Sequence, residues 1–203
     1  KKMENQLALI HAKSGVRDYS QVLANGFPAF VFATIFYFTA DHIYILGFAT
    51  AIASSNADTW GSELGVLSKK SPVSIVTWKP IQTGLSGGIT ATGSLASLAG
   101  AMLIAVIFIA GYYLTYGKAE PLSTLFILCT VGGFTGSMID SILGATVQVK
   151  YYCEEQKLIT EKRISKSHTN RIISGFPGIS NDVVNFTSSF LSALLVMTVQ
   201  KFL

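Results

Sequence analysis

The sequence predicts an all-α fold, a polytopic bundle of transmembrane helices, and three observations carry that prediction. Half of the 203 residues are hydrophobic and 13% are charged, against about 25% charged in a soluble domain; the mean hydropathy is +0.48. Five apolar stretches, at 22–40, 43–62, 89–114, 124–148 and 183–200, are each near the roughly 20 residues that cross a bilayer as a helix. The basic residues fall between these stretches, and unevenly: 4 Lys and Arg precede the first, 3 lie in 64–88 and 6 in 149–182, while the intervening segments and the tail hold 0, 1 and 1. The positive-inside rule then places the amino terminus and both long loops, 64–88 and 149–182, in the cytoplasm. The expected product is one membrane-embedded domain, 1–203, with a homo-oligomer left open.

Residues 1–21 are mixed and polar, with a short apolar patch at 7–12 that suits a surface helix or the remnant of a longer one. No cleavable signal peptide is visible, and the chain is expected to be trimmed, with an upstream segment missing. Pro28 is expected in the first turns of the first span, where proline costs least. Asp41-His42 is a tight turn into the second span. The third span carries Gly93, Ala96, Ser97 and Gly100 at a small-residue spacing that lets helices approach closely. The fourth holds Asp140 within its apolar run, and the fifth opens on Asn181-Asp182-Val-Val-Asn185.

Charge and cysteine usage exclude other classes. The net charge of +4 is dispersed through loops rather than gathered on one face, which argues against nucleic-acid binding. Cys129 lies in an apolar span and Cys153 in a basic loop, so no disulfide framework is implied, and Cys153 with His168 is too sparse a set for zinc. No Ser-His-Asp or Cys-His set stands out.

The second span is the unusual one. It ends Ala53-Ser-Ser-Asn-Ala-Asp-Thr-Trp-Gly-Ser-Glu63, and at helical pitch Ser55, Asp58 and Ser62 share one face while Asn56, Thr59 and Glu63 share the next. An acid in lipid costs about 2.5–3.5 kcal/mol on insertion scales, so Asp58 and Asp140 are expected to face the bundle interior and to serve a purpose; Glu63, nearer the interface, is as well explained by solvation. Ser55-Asn-Ala-Asp-Thr59 echoes Ser137-Met-Ile-Asp-Ser141 in a parallel sense. Asn181 and Asp182 suit a helix cap, yet Asn185 lies beyond one, so the segment is expected to be cap and ligand together. Thr83-Gly-Leu-Ser-Gly-Gly88 precedes a span, and free N–H groups at a helix start suit phosphate, although the Gly-Lys-Ser/Thr ending of a P-loop is missing. Lys150, Lys157, Lys162, Arg163, Lys166 and Arg171 suit either anionic headgroups or a phosphate.

With alternate spans antiparallel, the acid, amide and Gly-rich clusters all fall in the cytoplasmic leaflet, and none of these was used to set the topology. Carboxylates, amides, hydroxyls and a Gly-rich turn meeting there suit Mg2+, which takes one or two carboxylates plus substrate phosphates, and hence phosphoryl transfer to a lipid bearing a phosphate head. An ion-coupled transporter using the intramembrane Asp residues is the alternative; it favours acids at mid-membrane and inverted repeats.

Gln21-Val-Leu-Ala-Asn25-Gly, Ser55-Asn-Ala-Asp-Thr-Trp-Gly-Ser-Glu-Leu-Gly65-Val-Leu-Ser, Thr83-Gly-Leu-Ser-Gly-Gly88, Asp140-Ser-Ile-Leu-Gly-Ala-Thr146 and Asn181-Asp-Val-Val-Asn185, in this order, resemble the transmembrane protein 19 family of integral membrane proteins, which includes a plant phytyl-phosphate kinase of the vitamin E pathway. The resemblance implies conversion of phytyl or geranylgeranyl monophosphate to the diphosphate with a nucleoside triphosphate, CTP or ATP. The reading that follows has Asp58, Asp140 and Asp182 as catalytic, and Asp58, Glu63, Asp140 and Asp182 as Mg2+ ligands. Asn25, Asn56, Lys79, Thr83, Ser86, Gly87, Gly88, Lys150, Arg163, Asn181 and Asn185 would bind nucleotide or phosphate. The partners are the prenyl-phosphate lipid, the nucleotide and the membrane, with the site facing the cytoplasm. Relatives often carry extra amino-terminal helices, and some carry further cysteines after the position of Cys153 that this chain lacks.

Overall fold

A computed structural model describes residues 9–10, 18–118, 120–165 and 168–203. Among these, five long helices form the body: α1 (Tyr19–Thr39), α2 (Ile43–Gly65), α3 (Ala91–Tyr116), α4 (Leu122–Thr146) and α5 (Asn181–Gln200). The boundaries differ from the apolar runs by a few residues because polar capping side chains, outside the runs at α1 and α5 and just inside one at α3, start the helices. Asp18 accepts from the Gln21 N–H in a reciprocal capping box, Thr90 accepts from Gly93, and Ser180 from Val183. The cap of α5 is therefore Ser180, and Asn181 and Asp182 occupy its first turn. Because α1 begins at Tyr19, Pro28 sits buried in the helix interior rather than in its first turns. The 7–12 patch, like Lys1, Lys2, Lys13, Arg17 and Lys166, lies wholly or largely outside the described residues.

Four of the helices, α1, α3, α4 and α5, are long and apolar enough to cross a membrane; α2 is not, which corrects the expectation of five such spans. Its position explains the difference. It packs on each of the other four, and Leu46, Ala49, Ala51, Ala53 and Ala57 are essentially inaccessible. A helix sheathed by neighbours can carry a polar half that a lipid-facing one cannot. Close approach is provided by small residues: a Cβ on Gly93 would lie 2.9 Å from the Gly61 carbonyl oxygen, and one on Gly133 2.7 Å from Ala53 Cβ.

The two loops are not structureless. Residues 64–88 fold back so that β1 (Val73–Ser74) pairs with β2 (Gly88–Ile89). In 149–182, β3 (Lys150–Cys153) forms the middle of an antiparallel sheet between β4 (Leu158–Thr160) and β7 (Arg171–Ser174), and β5 (Ile164–Ser165) pairs with β6 (His168–Thr169). Tyr151 and Cys153 are buried while Lys150 and Tyr152 are half-exposed, the period-two pattern of a one-sided strand. The sheet is fastened to residues 9–10, since Thr160 Oγ1 lies 2.9 Å from the carbonyl oxygens of Leu9 and Ile10.

Candidate functional site

All five helices meet at one end around a cavity of about 370 Å³. The amino-terminal turns of α1, α3 and α5 and the carboxyl-terminal turns of α2 and α4 form its walls, and 66–72 and 83–90 its cover. Among the residues expected at a site, Asn25, Asp58, Thr83, Ser86, Gly87, Gly88, Asp140, Asn181 and Asn185 line it.

Like Glu161, Asp140 is buried, at 7% exposure. Ser188 Oγ donates to its Oδ2 at 3.0 Å. With its amide turned to donate, Asn185 Nδ2 lies 3.0 Å from the same oxygen and 3.1 Å from the Asn181 carbonyl oxygen. A carboxylate held by two donors from a neighbouring helix has a fixed rotamer, which is how a buried acid is positioned at tolerable cost. Asp58 is half-buried on the facing helix, and with Glu161 it is a charged group close enough to act on Asp140. Ser55 Oγ donates to the Asn25 carbonyl, tying α2 to α1, and Ser97 and Ser137 hydroxyls lie 3.1 Å apart between α3 and α4.

Other expected residues lie elsewhere. Asn56 faces α3, where its Nδ2 donates to the Gly100 carbonyl at 2.9 Å, so its role is helix packing. Glu63 is exposed and outside the cavity, and Asp182 accepts from Ser20 Oγ at 2.9 Å at the start of α1. Lys79 and Arg163 are exposed and away from the cavity lining. Lys150 lies just behind the wall: its Nζ donates to the Ser86 carbonyl at 3.0 Å.

The Gly-rich stretch is also placed differently from the expectation of a helix start. The cap of α3 is Thr90, and Gly88-Ile89 is strand β2, so 83–88 is a loop laid over α4. Gly87 has φ +89, and a Cβ there would meet Ala145 Cβ at 2.5 Å; only glycine permits both the turn and the contact. Ser86 is held from the sheet side, with its N–H donating to Glu161 Oε1 at 3.3 Å and its hydroxyl in a short bond to the same oxygen.

Sequence reasoning missed Thr90, Ser94 and Ser97, which line the cavity from α3 at positions i, i+4 and i+7; that helical spacing was the available signal. It also missed Glu161, which shares a basic loop with Glu154 and Glu155 and has no local pattern to set it apart.

The cavity offers hard oxygen donors, with carboxylates from Asp58 and Asp140 and hydroxyls from Thr90, Ser94 and Ser141, and neither thiol nor imidazole among its lining residues. That chemistry fits Mg2+ shared with substrate phosphates. Among the described residues no three His, Cys, Asp or Glu side chains gather into a metal-binding group, so the expected four-acid cluster is reduced to the pair Asp58 and Asp140.

Comparison with known proteins gives the chain its relatives. It is 39% identical to protein PGR of Arabidopsis thaliana over 147 residues, covering 70% of this chain and 50% of that protein. It is 36% identical to an uncharacterized membrane protein of Methanocaldococcus jannaschii over 135 residues, covering 66% of this chain and 52% of that one. The chloroplastic protein VTE6 of Arabidopsis thaliana is 24% identical over 161 residues, covering 79% of this chain and 39% of VTE6. The chain thus spans about half, or less, of the length of these relatives. No solved structure matches. The family described as integral membrane protein DUF92 matches residues 1–193, and since that is nearly the whole chain, the protein belongs to the DUF92 family of integral membrane proteins, the transmembrane protein 19-like family that its motifs resemble.

Proposed function

We propose that the protein is a membrane-embedded prenyl-phosphate kinase, which transfers a phosphoryl group from a nucleoside triphosphate, CTP or ATP, to phytyl or geranylgeranyl monophosphate. One observation carries the reading: two carboxylates, three Asn side chains, several hydroxyls and a glycine-rich backbone segment line one cavity at the end of a bundle of apolar helices. A phosphate carried on a lipid and a nucleotide from water can both arrive there. The resemblance of the chain's motifs to a family that includes a plant phytyl-phosphate kinase supports the same reading.

Phosphoryl transfer asks the protein mainly to position groups and to neutralise charge. In this reading Asp58 and Asp140 hold Mg2+, which supplies charge neutralisation of the phosphates when bound. Asn185 and Ser188 keep the Asp140 carboxylate turned toward the cavity. Asn25, Asn181, Ser86 and the 83–88 backbone contact the phosphates. The acceptor monophosphate is ionised near neutral pH, so no strong general base is needed. The bias of Lys and Arg toward this end supports a site facing the cytoplasm.

An ion-coupled carrier is the other class. Against it stands the packed cluster of Leu46, Ala49, Ala105, Tyr112, Leu125, Cys129 and Val196, which fills the bundle toward its other end.

The test is to incubate purified protein with each prenyl monophosphate, Mg2+ and labelled CTP or ATP, beside Asp58→Asn and Asp140→Asn. Wild type should form the diphosphate and each variant at least about 100-fold less. No diphosphate from any prenyl monophosphate would end the kinase reading.

A further inference from the structure

We infer that the nucleotide base stacks on Trp78, in an outer cleft that adjoins the inner cavity. The cleft, of about 750 Å³, is walled by Lys69, Lys70, Trp78 and Thr92. It shares Ser68–Ser71 and the α3 start, Thr90 and Ser94, as lining with the inner cavity, so the two adjoin. This inference rests on the reading of the inner cavity as a phosphoryl-transfer site.

Trp78 is 71% exposed, a large apolar ring left in the open. Its backbone has φ +57, a left-handed conformation that bulky residues rarely adopt. The turn around it is fixed, however. Its N–H donates to the Ser74 carbonyl at 2.8 Å, the Ser74 N–H donates to the Lys79 carbonyl at 2.9 Å, and the Thr77 N–H to Ser74 Oγ at 3.3 Å. A strained residue that its surroundings hold in place is a mark of positions kept for function. An indole face stacks on any base, and such stacking tolerates different bases.

Charge sets the direction of the ligand. Lys69 and Lys70 are exposed and line both spaces, standing between the ring and the acids. Aromatic surface, two cations and then a pair of carboxylates follow one another inward, which is the order of base, triphosphate chain and metal-bound terminal phosphate in a nucleoside triphosphate. A tryptophan serving only as an interfacial anchor needs neither the lysines nor a place beside the cavity.

The test measures equilibrium binding of CTP, ATP and inorganic tripolyphosphate, each with Mg2+, to the full chain in nanodiscs. Wild type should bind a nucleotide more tightly than tripolyphosphate. Trp78→Ala should weaken nucleotide binding roughly tenfold and leave tripolyphosphate unchanged, which also shows that the variant is folded. Lys69→Gln/Lys70→Gln should weaken both. If Trp78→Ala keeps the preference for nucleotide over tripolyphosphate, the inference is overturned while the kinase reading stands. If wild type binds nucleotide through Trp78 but makes no diphosphate, the kinase reading falls and the cleft remains. No nucleotide binding by wild type overturns both.

Discussion

Gly136 lies one helical turn before Asp140, at the contact of α4 with α2, and Gly136→Ala tests whether that contact sets the cavity. A Cβ there would lie 2.6 Å from Ser54 Cβ and 3.1 Å from Ser192 Cβ. A hydroxyl can rotate away, but Ser54 Cβ is fixed to its backbone, so the helices must part by roughly 0.8 Å to reach the 3.4 Å of ordinary contact. Overpacking of this kind costs about 1–3 kcal/mol, and the better helix propensity of alanine returns about 1 kcal/mol. The net loss is up to about 2 kcal/mol, or roughly 4–8 °C in melting temperature for a chain of this size. Gly111 supplies the control, because a Cβ there meets nothing within 4 Å. Gly111→Ala should therefore hold or raise the melting temperature, by up to about 4 °C. The assay is thermal unfolding of both variants in one detergent, followed by near-ultraviolet circular dichroism. A Gly136→Ala protein stabilised as much as Gly111→Ala, with the propensity gain unopposed, would show that α2 and α4 are not in close contact at Ser54, and the placement of Asp58 beside Asp140 would go with it.

Two further predictions concern the sheet that backs the cavity. Glu161→Ala removes the acceptor for the N–H and hydroxyl of half-buried Ser86, at about 0.5–1.5 kcal/mol for each hydrogen bond lost. Amide exchange over 83–88 should accelerate while exchange in α3 stays unchanged, and unaltered exchange over 83–88 would show that the sheet does not hold that loop. Burial pushes the Lys150 amine below the 10.5 of a free lysine, with the Glu161 carboxylate pulling the other way. Between that lowered value and 10.5 the unfolded chain binds more protons than the folded one, so stability should rise with pH across this window and be flat below it. Lys150→Met should abolish the rise, as read from melting temperatures in a pH series; an identical pH profile in the variant would place Lys150 in solvent.

The helices were legible because lipid-compatible runs of about 20 residues have few alternatives. The errors at the starts of α1 and α5 come from the caps Asp18 and Ser180, which belong to no apolar run, and α3 starts two residues into its run because Thr90 caps it. The strands were harder to foresee. Val73-Ser74 pairs with Gly88-Ile89, and Lys150–Cys153 with both Leu158–Thr160 and Arg171–Ser174, and such pairing is decided by partners distant in sequence rather than by local propensity. At the cavity, helical pitch separates Asp58 and Ser62 from Asn56 and Glu63, but Thr59, expected on the second face, also lines the cavity, while Ser55, expected on the first, bonds to α1 instead. Which face meets which neighbour is a matter of packing, and Asn56 is drawn to Gly100 of α3 while Asp58 opens to the cavity.

That division explains why a helix too polar to span on its own lies at the centre. A polar helix end against lipid would strand its side chains without partners. Set within four neighbours, α2 can spend Asn56 on the Gly100 carbonyl and Ser55 on the Asn25 carbonyl, bonds that fasten α3 and α1 around it. The same pitch then turns Asp58 toward Asp140, whose own partners, Ser188 and Asn185, come from α5. The cavity is thus a consequence of how the bundle satisfies its polar central helix. A substitution that loosens Asn56 or Ser55 should therefore disturb Asp58 even though neither side chain reaches the other acid.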